Sequence, residues 1–144
     1  MNPPPELARH VIALHHVAIA VRSIEAAAPF YTQVMGMQTL GEPEFVADQQ
    51  VNVLVVMAGT QRIELVEPAS EDSPISKFVA KREGLHHLAY EVHDVAAVLA
   101  DLQARGLRLI DTAPRPGAHG TTIAFLHPSA CGGVLTEIVQ APPH

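Results

Sequence analysis

Two stretches of the chain open with alternating apolar and polar positions and then switch to helical spacing. Residues 14–21 and 85–92 carry the alternation, and a period of two marks a strand with one buried face. Ile24, Ala27, Ala28, Tyr31 and Met35 follow the first stretch, and Val95, Val98, Leu99 and Leu102 the second. Their three- and four-residue spacing predicts one amphipathic helix in each place. Gly36 and Gly106 come next and predict the helix ends. Each glycine precedes three short β-rich runs. These are residues 37–40 or slightly beyond, 51–57 and 62–66 in the first half, and residues 107–110, 121–126 and 134–139 in the second.

The two halves are copies of one unit. Leu14-His15-His16-Val17-Ala18-Ile19-Ala20-Val21 recurs as Leu85-His86-His87-Leu88-Ala89-Tyr90-Glu91-Val92 at an offset of 71 positions, and such self-similarity governs the reading of a fold. The expectation is one α+β domain spanning residues 1–144, made of two tandem βαβββ modules whose curled mixed sheet surrounds a central cleft. Module one covers about residues 12–68, the linker 69–83 and module two 84–140. Within the linker, residues 68–82 predict a turn and then a short helix from Pro74, with Ser73 as its N-cap. Residues 114–120, rich in Pro and Gly, predict a loop, and the tails 1–9 and 141–144 are expected to fray.

Composition narrows the functional classes. An apolar content of 48% over 144 residues suits one globular core. No run of about 18 apolar residues marks a membrane span. The opening residues 1–10 are proline-rich and contain no apolar run leading to a cleavage site. A single cysteine, Cys131, has no partner for an internal disulfide. The expected location is therefore the cytoplasm. Net charge is −6, and the nine Lys and Arg residues are scattered, which argues against nucleic acid as a partner. An acidic small molecule would need local recognition, since the overall sign repels it.

The repeat also selects the candidate chemistry. His16 and His87 are equivalent positions, and strand parity puts them on a face with Ala18 and Ala20 or with Ala89. Such small neighbours leave room for a ligand. His15 and His86 fall on the other face by the same parity and are expected to be structural. Glu64 and Glu137 lie in the last strands of the two modules, each flanked by apolar residues. A carboxylate buried in an apolar strand is costly unless it is paired or holds a metal. Two imidazoles and two carboxylates suit one six-coordinate divalent ion per chain, such as Co, Ni, Mn, Fe or Zn, with two positions open for catalysis.

These residues and several longer motifs resemble the vicinal oxygen chelate superfamily, the group of glyoxalases, bleomycin-resistance proteins and dioxygenases, and within it the methylmalonyl-CoA epimerases. The motifs are LHHVAIAV from Leu14, IELVEPASEDSPISKF from Ile63, EGLHHLAYEVHDV from Glu83, PRPGAHG from Pro114 and IAFLHPSACGGVLTEIV from Ile123. The resemblance implies metal ligands at His16, Glu64, His87 and Glu137, and a proton transfer at C2 of an acyl-CoA through an enolate. It assigns one proton-transfer role to Glu137. Several relatives place the second on the strand matching residues 50–54, where this chain has Val53, so Glu64 or a water is left to take that part. Thr122 stands where relatives often have Arg. His119, Gly117 and Gly120 in the PRPGAHG loop are the candidates for gripping the substrate. A homodimer is also implied by the resemblance. Rival readings are a glyoxalase I type isomerase, with the same ligand types, and a metal-free ligand-sequestering module of the same superfamily. Iron dioxygenases use two His and one carboxylate, and a fourth protein ligand would crowd their oxygen site.

Overall fold

A computed structural model describes residues 10–143; the frayed tail expected over residues 1–9, and His144, lie outside the described residues. Eight strands form one sheet in the order β2-β3-β4-β1-β5-β8-β7-β6. They are β1 (Val11–Ala20), β2 (Gln38–Val46), β3 (Val51–Ala58), β4 (Gln61–Pro68), β5 (Gly84–Val92), β6 (Arg115–Pro116), β7 (Thr122–Leu126) and β8 (Thr136–Gln140). Each half repeats the other's layout. β1 lies parallel to β4 and β5 parallel to β8, while β1 and β5 join the halves as an antiparallel pair. The duplicated βαβββ architecture is therefore present, with the opening strands of both modules at its centre.

Two of the helices cover the outer face. α1 (Ile24–Pro29) is capped by Ser23, whose hydroxyl accepts from the Ala26 amide. Pro29 has no N–H to give, and the helix runs on through one widened turn, Phe30–Val34, in which the Met35 amide reaches back to the Phe30 carbonyl at 3.0 Å. Ile24, Ala27, Ala28 and Tyr31 pack on Leu54, Val56 and Leu65 as their spacing predicts. Met35, beyond the widened turn, is exposed instead. α2 (Ser76–Lys81) belongs to the linker. α3 (Val95–Ala104), capped by Asp94, packs Val95, Val98, Leu99 and Leu102 against Ala124, Leu126 and Ile138. Gly36 and Gly106 have φ of +74° and +75°, the left-handed conformation that ends a helix at little cost only for glycine.

Three local expectations need correction. The linker helix starts at Ser76 with Ile75 as its cap, because Ser73 and Pro74 belong to the preceding turn. β2 runs on to Val46 along β3, held by pairing that the short apolar run 37–40 does not reveal. Residues 107–110 form no strand and make a single bridge, Leu109 with Leu126. There the Asp111 carboxylate accepts from the Phe125 amide at 2.9 Å, so a side chain takes the place of the next ladder bond. The outer strand of module two is instead the two-residue β6, inside the segment expected to be a loop.

Candidate metal centre

Register across the centre of the sheet builds the site. Ala18 is the Cα partner of Glu64 on β4 and of His87 on β5. Ala89 is the partner of His16 on β1 and of Glu137 on β8. Each half thus places an alanine between a histidine and a glutamate, and both alanines are fully buried. Side chains two apart on one strand share a face, so Val51 and Val53 of β3, Val66 of β4 and Val139 of β8 also wall this side.

The four predicted ligands are all buried, with exposures of 3% for His16, 8% for Glu64, 8% for His87 and 5% for Glu137. Three of them close on one point. Nε2 of His16 lies 3.3 Å from Nε2 of His87 and 3.0 Å from Oε1 of Glu137, and that oxygen lies 3.2 Å from Nε2 of His87. Glu64 lines the same cavity but meets His16 on its other nitrogen, with Oε2 3.2 Å from Nδ1. Atoms this close, each able to offer a lone pair, need a proton or a cation among them. Neighbouring ligands of an ion about 2.1 Å from each stand about 3.0 Å apart at right angles, so the spacing and the N,O donor chemistry both fit a divalent metal.

Electrostatics separates the two carboxylates. Burial opposes charge on Glu137, but its hydrogen bonds with His16 and His87 outweigh that and hold its pKa at about 2. At Glu64 burial prevails and raises the pKa. Burial also opposes charge on His16, yet the Glu137 hydrogen bond and the Glu64 charge raise its pKa. His15 and His86 are lowered to about 4, first by burial and then by the histidine beside each.

The cavity at the triad is small, about 30 Å³, and a larger one of about 270 Å³ shares Gln49, Val51, Val66 and His87 with it. The second reaches Arg115, Ile110 and Phe125. The expectation for His15 is overturned, because it lines the triad cavity and its ring touches His16. The doublet His-His in both copies was the available signal. His86 likewise lines the adjoining cavity beside His87, where it lies edge-on to Phe78 of α2 with centroids 5.0 Å apart. In the PRPGAHG loop, Ala118 rather than His119 or either glycine lines the cavity, followed by Thr121. The His119 amide donates to Glu44 at 2.8 Å. A Cβ on Gly117 would lie 2.6 Å from Thr121 Oγ1 and 2.7 Å from Ile123 Cγ2, so close packing accounts for that glycine.

The chain is similar to known proteins in sequence and in fold. The family model described as Glyoxalase/Bleomycin resistance protein/Dioxygenase superfamily matches residues 15–125. Mitochondrial methylmalonyl-CoA epimerase of Bos taurus is 41% identical over 130 residues, which are 89% of this chain and 74% of that protein. The crystal structure of methylmalonyl-CoA epimerase from Mycobacterium tuberculosis superposes with a TM-score of 0.87 at 34% identity, covering 96% of this chain and 95% of that one. A variant of the Streptomyces coelicolor methylmalonyl-CoA epimerase, in complex with 2-nitronate-propionyl-CoA, gives a TM-score of 0.84 at 34% identity over 92% of this chain and 99% of its own.

Proposed function

The chain belongs to the Glyoxalase/Bleomycin resistance protein/Dioxygenase superfamily, and from that premise we propose that it is a divalent-metal epimerase interconverting the C2 epimers of methylmalonyl-CoA. The observation that carries this reading is the buried convergence of His16, His87 and Glu137, in a chain similar over most of its length to methylmalonyl-CoA epimerases. His16, His87 and Glu137 would hold the ion, Co, Ni, Mn or Zn by donor type; Glu64, in the same cavity, would reach it as fourth ligand only by turning away from Nδ1 of His16. When bound, such an ion supplies Lewis acidity that stabilises negative charge on the thioester oxygen as the C2 proton leaves.

The chain's own residues supply the rest. Epimerisation needs a proton acceptor on one face of C2 and a donor on the other, each contributing about 10²- to 10⁴-fold. Glu137, held ionised, takes the proton. Glu64, whose pKa is raised by burial, delivers one from the opposite side of His16. Carboxyl groups pushed apart in pKa by their surroundings are the pattern of an acid and base pair. Val53, which lines the same cavity, has no proton to exchange, which leaves Glu64 as the second proton carrier. Val46, Val51 and Val66 exclude water around the reacting carbon. The adjoining cavity offers room for the thioester arm, and the loop edge at Ala118 and Thr121, next to Gly117, His119 and Gly120, would border the acyl group.

The test is proton exchange. Protein loaded with Co²⁺ and given methylmalonyl-CoA in D₂O should take deuterium at C2, and Glu137→Ala should abolish the exchange. Exchange that persists in that variant refutes the base. The same assay with ethylmalonyl-CoA and the methylglyoxal–glutathione adduct fixes the substrate, and preferential turnover of the adduct would establish the glyoxalase reading instead.

A further inference from the structure

The β1/β5 pair carries three irregularities: one passes over Ile12, and each of the other two falls on the histidine that precedes a member of the triad. Cα partners of the β1/β5 pair step from Leu14↔Tyr90 to His16↔Ala89, passing over His15, and from Ala18↔His87 to Ile19↔Leu85, passing over His86. A regular strand turns consecutive side chains to opposite faces, whereas a bulge re-aims the extra residue. The result is the same contact twice. Nδ1 of His15 lies 2.8 Å from Nδ1 of His16, and Nδ1 of His86 lies 2.8 Å from Nδ1 of His87. The ring planes meet at 76° in the first pair and 75° in the second.

Two ring nitrogens at this distance share one proton, one donating and the other accepting. The Nε2 atoms of His16 and His87 are the ones that converge on Glu137. We propose that His15 and His86 are positioning residues for metal binding: each accepts the Nδ1–H of its neighbour and so leaves Nε2 of His16 and His87 unprotonated toward the ion. This rests on the metal reading above. An outer partner of this kind fixes the tautomer and ring orientation of a ligating histidine. Phe78 braces His86 from behind. The two sides are unequal, because His16 also has Glu64 Oε2 at 3.2 Å from Nδ1, while among the described residues His87 Nδ1 has His86 alone.

Zn²⁺ serves as the probe, being diamagnetic. Its affinity is measured by chelator competition for the full chain and for His86→Leu and His86→Asn. Long-range ¹H–¹⁵N spectra of the Zn²⁺-loaded wild type then locate each ring proton. His86→Leu should weaken Zn²⁺ binding about 10- to 100-fold. His86→Asn, whose side-chain oxygen accepts the same proton, should recover most of the loss. The spectra should show His86 and His15 protonated on Nε2 and accepting at Nδ1. Zn²⁺ affinity of His86→Leu within twofold of wild type, or a proton on Nδ1 of His86 in the wild type, overturns the inference while the metal reading stands. The spectral arm needs no variant to fold. A wild type that binds no Zn²⁺ overturns both.

Discussion

Ala18 and Ala89 occupy equivalent places in the centre of the sheet, each flanked by one histidine and one glutamate of the site. Their methyl groups are the spacers that let His16, His87 and Glu137 converge above the strands with Glu64 beside them. Enlarging either one crowds those side chains, and overpacking of this kind costs about 1–3 kcal/mol. Ala89→Val should leave a folded protein with a lowered thermal midpoint and Zn²⁺ affinity reduced at least about tenfold. Unchanged affinity in calorimetric titration would show that the spacer is dispensable.

His16 and His87 face each other across β1 and β5, with their Nε2 atoms 3.3 Å apart. Equivalent ligands should fail alike, so His16→Ala and His87→Ala should each lose stoichiometric metal, read by elemental analysis of the purified variants. Full metal content in the His87 variant would break the pairing.

In the proposed mechanism Glu64 takes the second proton-transfer role, since Val53 has no proton to exchange. Glu64→Gln should lower epimer interconversion by about 10²- to 10⁴-fold, while one epimer still exchanges its C2 proton through Glu137. Adding Val53→Glu to that variant returns a carboxyl to the same cavity wall and should restore part of the interconversion. Chiral analysis of the product against deuterium content separates the two effects, and loss of all exchange in Glu64→Gln would reject the division of labour.

Asp101 ties α3 to the start of β1. Its Oδ2 lies 2.8 Å from His10 Nε2 and its Oδ1 2.9 Å from Arg105 Nε. The His10 hydrogen bond, then the Arg105 hydrogen bond, lower its pKa below 3.8. A depressed carboxyl pKa adds stability that is present above the unfolded value and fades as the pH falls through the folded one. Asp101→Asn should therefore lower the urea midpoint slightly at pH 7, and the gap to wild type should close in acid below the ordinary carboxylate range. A gap that widens toward acid would contradict the sign.

Much of this protein was legible in its residues. Period-two alternation told which side of each strand faces inward, and the duplication paired His16 with His87 and Glu64 with Glu137, since repeated units fold alike. Those two facts suffice to place all four side chains on one buried face. They do not say which atoms meet. That Glu137 joins both Nε2 atoms while Glu64 stands at Nδ1 of His16 follows from the stagger of strands β4, β1, β5 and β8, a long-range property.

The aim of His15 and His86 was equally out of reach, because a bulge exists only relative to a partner strand far away in the chain, and local alternation assigns both residues to the wrong side. The same limit explains β6 in place of a strand over residues 107–110, where Asp111 bonds to a backbone amide that only the folded sheet brings near. Local pattern determined the elements and their inward faces; cross-strand register decided the chemistry at the centre, since hydrogen-bond pairing between distant segments sets the distances among side chains.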